Sequence, residues 1–427
     1  MGGAPGIGRR ALLLAAGALG ARRAIAQDSA QPAPLAASPA RSQGAAQGTA
    51  EGTAHGAVPG PAQRMSPGAA PNATPHATPP ATHRAAPASP AAPAPIVLPR
   101  DFGAHPETRI EWWYATGALD VPGSADPFGF QITFFRSRTG VAADHPSAFA
   151  ARQLIFAHAA LTDPLARRLR HDQRIARAGF GIARASEGDT DLKLHDWTLR
   201  REVTPAGHDY VAVVDAPAQG FAFDLRLSAT QPVLAQGEAG YSRKGPQPAQ
   251  ASMYLSEPQL AVRGALVLDG RALAVTGRAW LDHEWSDSLL DAEAVGWDWI
   301  GMNLDDGGAL MAFHLRRRDG SALWAGGSHR SASGALRVFG ADEVAFTPLR
   351  AWSSPATQAR YPVEWQVDTP VGRFAVRARL EAQELDSRAS TGAVYWEGLA
   401  DLFDERGRRV GRGYLEMTGY AAPLKLR

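Results

Sequence analysis

The residues best suited to chemistry fall in two tryptophan-rich runs, Glu111-Trp112-Trp113-Tyr114 and Trp280-Leu281-Asp282-His283-Glu284-Trp285. Each run sets indole rings beside ionisable groups. A tryptophan buries a large apolar area and offers one donor. A carboxyl group held against it loses water and keeps its proton more firmly. The combination describes an aromatic-lined cavity with a few acid and imidazole groups, fit for an apolar ligand and for proton transfer. Read as a strand, the second run puts Trp280, Asp282 and Glu284 on one face and Leu281, His283 and Trp285 on the other. His283 then stands beside Trp285.

Each of these residues also has a plainer reading. Asp282 and Glu284 would serve equally as partners of Arg278 or another arginine at a seam between strands. His283 would serve as a structural histidine bonded to backbone. Glu111 to Tyr114 reads also as packing that closes a sheet, and Tyr395-Trp396-Glu397-Gly398 reads as structural.

Other chemistries lack their residues. The chain has no cysteine, which excludes disulfides, thiolate metal sites and cysteine nucleophiles. In a strand His283 turns away from Asp282 and Glu284, poor geometry for one shared ion, and no His-Glu-x-x-His motif occurs, so no metal is expected. Phosphate loops, nucleotide fingerprints and a Gly-x-Ser-x-Gly elbow are missing as well, and no cofactor is expected. A net charge of +2 in 427 residues signals no attraction to nucleic acid.

The elements that must position these groups begin late in the chain. Residues 1–26 read as an export signal: Arg9-Arg10 precede an apolar run from Ala11 to Ala21, and Ala24-Ile25-Ala26 offers a cleavage site. The paired arginines lean toward the twin-arginine route. The apolar run is too short for a transmembrane span. Residues 27–95 are rich in Ala and Pro and hold no aromatic residue, so they are expected to be a disordered linker. All 11 tryptophans lie between Trp112 and Trp396.

From Ile96 onward the pattern is strand-like. Phe130 to Phe135, Phe221 to Leu227 and Arg373 to Leu380 alternate apolar and polar residues. Asp269-Gly270, Asp305-Asp306-Gly307-Gly308, Asp319-Gly320 and Glu405-Arg406-Gly407 read as hairpin turns. Leu154 to Ala160 fits either a strand or a short helix. Two halves share a motif, a Trp-rich acidic strand (Glu111 to Tyr114, Trp297 to Ile300) followed by an apolar strand ending in arginine (Phe134-Phe135-Arg136, Phe313-His314-Leu315-Arg316). An all-β fold of two antiparallel barrels is expected, over residues 96–268 and 269–427.

At this level of detail the chain resembles the carotenoid 1,2-hydratase (hydroxyneurosporene synthase) and AttH-like family of lipocalin-like proteins. The resemblance rests on His105-Pro106-Glu107 with Glu111 to Tyr114, Tyr241-Ser242-Arg243-Lys244-Gly245, Trp280 to Trp285 and Gly296-Trp297-Asp298-Trp299. It continues through Tyr395 to Gly398, Gly413-Tyr414-Leu415-Glu416 and Thr418-Gly419-Tyr420. It implies two tandem lipocalin-like barrels, an apolar isoprenoid or lipid ligand, and hydration of a carbon–carbon double bond. The family's His-x-Trp element carries over to His283 and Trp285, and Asp298 is the candidate for its partner acid. A protonated acid, Asp298 or Asp282, would then protonate the alkene, indole faces would stabilise the cation, and His283 would orient the water. Glu111, Trp112, Trp113, Tyr114, Glu284, Trp297 and Trp299 are the expected ligand-binding residues. The expectation is a periplasmic or secreted protein. The alternative is a non-catalytic carrier serving an envelope ABC-type system that exports lipid or lipoprotein.

Overall fold

The computed structural model describes residues 95–140, 145–147, 149–288 and 290–424. The expected export signal and nearly all of the linker lie outside the described residues, which belong to one compact unit.

The first sheet contains β1 (Ile110–Asp120), β2 (Phe128–Arg138), β3 (Gln153–Asp163), β4 (Arg168–Arg177), β5 (Ala183–Ala185), β6 (Asp191–Leu194) and β7 (Trp197–Thr204). It continues with β8 (Gly207–Ala216), β9 (Phe221–Ser228), β10 (Leu234–Ala235), β11 (Tyr241–Arg243), β12 (Ala251–Leu268) and β13 (Arg271–Ser286). The second contains β14 (Ala294–Leu304), β15 (Ala309–Arg317), β16 (Ala322–Arg330), β17 (Leu336–Phe339) and β18 (Ala345–Ser353). It ends with β19 (Arg360–Thr369), β20 (Gly372–Ala378), β21 (Glu384–Asp386), β22 (Val394–Phe403) and β23 (Arg409–Met417). Two short 3-10 turns, Arg100–Phe102 and Pro217–Gln219, are the only helical segments among the described residues. No helix among them is long and apolar enough to cross a membrane.

Every pairing is antiparallel, and the order in the first sheet is β4-β3-β2-β1-β13-β12-β9-β8-β7-β6-β5. β4 and β5 stand at opposite ends of that order, yet only residues 178–182 join them, so the sheet curls back on itself and is nearly barrel-shaped. The second sheet runs β17-β16-β15-β14-β23-β22-β20-β19-β18, and its end strands β17 and β18 are joined by residues 340–344. The expected hairpin turns all connect neighbouring strands. Asp269 (φ 48°) and Gly270 (φ 82°) take the left-handed pair of dihedrals that joins β12 to β13. Leu154 to Ala160 lies in β3.

The division expected at 268/269 needs correction. It falls in the β12–β13 turn, and β13 pairs with both β12 and β1, so the first sheet ends at Ser286. β13 carries the richest motif of the chain into the first sheet.

β1, β14 and the second half of β13, from Ala279 to Ser286, are buried on both faces, so their burial is nearly continuous. Three apolar layers result. The first barrel's interior holds Trp113, Phe130, Phe134, Trp197, Phe223 and Leu281. The second sheet's interior holds Ile300, Met302, Trp365 and Trp396. Between the sheets, Tyr114, Tyr254, Trp280, Trp299, Phe313 and Tyr414 form a third layer. Strand alternation assigns each motif residue to one of these three.

Candidate functional site

Inside the first barrel, β1 and β13 are neighbours in register, with Trp113 opposite His283 and Glu111 opposite Trp285. Glu111 is the hub. One carboxylate oxygen lies 2.8 Å from His105 Nδ1 and 2.9 Å from His283 Nε2, and the other accepts from Arg136 Nε at 2.6 Å. The backbone N–H of His105 donates to both oxygens. Arg136 Nη2 also donates to the carbonyls of His105 and Thr108. Burial alone would raise Glu111, but hydrogen bonds from His105 and His283 and the charge of Arg136 outweigh it and bring it to about 2. Burial pushes His283 down, against the pull of Glu111.

Aromatic faces seal this cluster. Trp113 stacks on His283 at 4.4 Å, and Trp285 stacks on His105 at 3.8 Å. The expected neighbourhood of His283 and Trp285 is present, with ring centroids 4.8 Å apart. The expected open, greasy cavity beside His283 is not: the side chains around it belong to a core whose members are almost all below 5% exposure. His105, Glu111 and His283 place one potential ligand atom each within 4.8 Å of the others, the one such grouping of three among the described residues. A cation there would share Glu111 with the guanidinium of Arg136, an arrangement better suited to holding the loop at His105 than to binding metal.

Asp298 lies elsewhere. It points into the second sheet's interior, where Oδ2 meets His314 Nε2 at 2.6 Å and Arg316 Nε at 2.7 Å, and Oδ1 accepts from Tyr420 at 2.9 Å. It shares no partner with His283, so the two do not form an acid–imidazole pair. The physical reason is strand phase: each faces the interior of its own sheet, with the layer between sheets separating them.

That layer contains the groups suited to proton chemistry. Asp282 is 3% exposed. Its Oδ1 accepts from Ser256 at 2.5 Å and from Trp280 Nε1 at 2.7 Å, and its Oδ2 accepts from Tyr254 at 2.8 Å. None of these partners carries a positive charge. Burial therefore prevails over the three hydrogen bonds and raises Asp282 to about 7. Trp299 Nε1 donates to the Tyr254 hydroxyl at 3.2 Å, which extends the chain of donors into the second sheet.

Two more acids face the same layer. Glu397 accepts from Tyr114 at 2.8 Å across the sheets, and its other oxygen, buried, has no hydrogen-bond partner. Burial first and then Glu416 push Glu397 well above the usual carboxylate range. Half-buried Glu416 rises to about 8, through burial and the nearby charges of Asp282, Glu284 and Asp298. Glu284 is held differently. Lys244 lies 3.0 Å from it, Ser252 donates to it, and Lys244 also sits over the rings of Tyr254 and Phe313. The expected arginine partners of Asp282 and Glu284 are thus replaced by neutral donors for one and by a lysine for the other.

The expected ligand-binding residues divide by phase. Trp112, Tyr114, Trp297, Trp299 and Glu284 belong to the layer between the sheets, whereas Glu111 and Trp113 belong to the first barrel. Tyr254 and Ser256 had no sequence signal, because nothing in β12 marks them as partners of Asp282. Lys244, Glu397 and Glu416 stand in motif runs, which was a signal, but their roles depend on contacts between sheets. A pocket of about 240 Å³ opens at the seam of the two sheets, lined by Thr116, Arg278, Trp280, Asn303 and Arg412 among others. A second of about 330 Å³ lies at the β7–β8 turn, lined by Pro205, His208 and Arg263 among others. Neither is lined by His283.

Two antiparallel sheets with an aromatic, carboxyl-bearing layer between them define a lipocalin-like β protein. The chain belongs to the AttH-like family, which it matches over residues 89–420. It is similar to the crystal structure of an AttH of Nitrosomonas europaea, with 49% identity and a TM-score of 0.71 over 78% of this chain and 99% of that one. It is also similar in fold to kievitone hydratase of Nectria haematococca, with 15% identity and a TM-score of 0.58 over 77% of this chain and 94% of that one. No curated protein matches the chain.

Proposed function

We propose that the layer between the sheets receives an apolar, unsaturated ligand of isoprenoid or lipid type and adds water across one of its carbon–carbon double bonds without a cofactor. The observation that carries this reading is Asp282, a buried acid raised to about 7 and held by three neutral donors. Such a group is protonated near neutral pH and can give its proton to an alkene carbon. Indole faces of Trp280 and Trp299 then lie where a tertiary carbocation gains cation–π stabilisation. Water attacks the cation and returns a proton to Asp282, so the net change is alkene plus water to alcohol. The ligand enters through the pocket at Trp280 and displaces that indole from Asp282. Kievitone hydratase shares the fold, which supports the compatibility of the scaffold with such a reaction. The proposal places the protein in the periplasm or outside the cell, on the strength of Arg9-Arg10, the run Ala11 to Ala21 and Ala24-Ile25-Ala26.

A second reading has its own support. Lys244 neutralises Glu284 inside the layer, which suits a carrier that holds its ligand without reaction, in the service of an envelope lipid or lipoprotein export system. One experiment separates the two. The protein is incubated with unsaturated isoprenoids and fatty acids in D2O, and the products are weighed by mass spectrometry. Hydration adds one D2O to the ligand with the native protein and none with Asp282→Asn. Ligand recovered bound but unchanged in mass with both proteins contradicts catalysis and supports the carrier.

A further inference from the structure

The pocket at the sheet seam is a site in its own right. Thr116 and Asp120 of β1 and Arg278 and Trp280 of β13 line it from the first sheet, and Arg409 and Arg412 of β23 line it from the second. We infer that this pocket binds the oxyanion head of an amphiphile, a carboxylate or phosphate, whose hydrocarbon chain continues past Trp280. The inference rests on the proposed function in taking the layer between the sheets as the place of the chain.

Three arginines line the pocket against two acids, Asp120 and Asp305. Arg409 is paired with Asp305 at 3.2 Å. Arg412 donates through Nε to Asp401 at 2.7 Å, a carboxylate that also accepts from Arg379, which has Asp126 as a second partner. Arg278 has no carboxylate partner among the described residues. It donates to the neutral Gln259 side chain at 2.6 Å, and Gln259 is itself fixed by the carbonyls of Leu304 and Gly308. The guanidinium is thereby positioned at the seam by a neutral partner, with no carboxylate of the described residues, Asp120 of the same pocket included, paired to it. Guanidinium groups bind carboxylate and phosphate through paired charge-assisted hydrogen bonds.

Size and continuity point the same way. A volume of about 240 Å³ is below the ~300–1,000 Å³ of pockets that enclose a whole ligand, and so fits a head group with the rest of the molecule placed beyond. Trp280, which lines the pocket, is 1% exposed, and its Nε1 bonds Asp282. An amphiphile anchored by Arg278 therefore directs its chain at the one indole that covers the raised acid. The substrate class of the proposed hydration becomes an unsaturated fatty acid or isoprenoid phosphate rather than a neutral hydrocarbon.

The test measures affinity and needs no turnover, so its failure is distinct from a failure of hydration. Fluorescence titrations of the native protein use cis-parinaric acid, its methyl ester and inorganic phosphate. The acid is expected to bind at least about tenfold more tightly than the ester, with the difference shrinking at high salt. Phosphate alone is expected to bind weakly and to compete with the acid. Arg278→Gln is expected to weaken the acid about tenfold and leave the ester unchanged. Equal binding of acid and ester by the native protein overturns the inference, and so does Arg278→Gln with unaltered affinity for the acid. Phosphate binding as tight as the acid also overturns it, since the pocket would then take a free anion.

Discussion

Arg136 Nε stands 2.6 Å from Glu111 on the neighbouring strand, with both side chains wholly buried. The second half repeats the arrangement, with Arg316 Nε 2.7 Å from Asp298. In each sheet the acid comes from the first strand and the arginine from the strand that follows it. Removing one member of such a pair leaves the other charged and unpaired in a low-dielectric core. Arg136→Met is therefore expected to lower the unfolding free energy by about 3–5 kcal/mol, and Glu111→Gln combined with it to restore part of the loss. Urea denaturation of the single and double variants measures both. A loss under about 1 kcal/mol in the single variant contradicts a structural role for the pair.

His283 belongs to this framework rather than to the proposed reaction. It donates to Glu111 and is stacked on Trp113 inside the first barrel, on the opposite face of β13 from Asp282. His283→Ala is expected to cost about 1–3 kcal/mol of stability and to leave hydration at its native rate under conditions where the variant is folded. Loss of hydration with stability intact would return His283 to the mechanism.

The raised value of Asp282 has a consequence for stability. Between about pH 4, where an exposed aspartate titrates, and about 7 the folded protein keeps a proton that the unfolded chain has released. Stability contributed by that proton is complete at low pH and declines as pH rises through this window. Asp282→Asn removes the decline. Its stability relative to the native protein is expected to improve from pH 4 to pH 8 by on the order of 2–4 kcal/mol, read from thermal or urea unfolding at each pH. A difference independent of pH would mean that Asp282 is ionised throughout.

Trp280 tunes the same acid. Its Nε1 hydrogen bond favours the ionised form of Asp282. Trp280→Phe keeps an aromatic ring but deletes the donor, so the pH at which hydration falls off is expected to move upward. The pH profile of kcat/KM, which reports the free enzyme with the hydrogen bond intact, checks this, and a downward move or no move contradicts the assigned hydrogen bond.

The chain displayed its strands well and its contacts between sheets poorly. The alternation of Trp280 to Trp285 placed Asp282 and His283 on opposite faces, as they stand in β13, because side-chain direction in a strand depends only on position. The shared motif of the two halves picked out Arg136 and Arg316, and both are the partners of the acids that precede them. Joining His283 to Asp298 failed because each residue's face of its strand was legible but the stacking of one sheet on the other was not. Asp282 drew its partners from β12 and its own strand, and Glu397 reached Tyr114 across the layer between sheets. Such long-range partners leave no trace in local spacing. The boundary at 268/269 went astray for a related reason: a hairpin turn looks alike whether it ends a sheet or continues one.

Infrared difference spectroscopy of the carboxyl stretch, native protein against Asp282→Asn, reaches the central claim most directly. Asp282 protonated in the layer between the sheets predicts a carboxylic-acid band at pH 6 that the variant lacks and that the native protein loses on titration above about pH 7. Spectra at pH 6 that match in the carboxylic-acid region and differ only in the carboxylate region would show an ionised Asp282 and contradict its role as the proton donor.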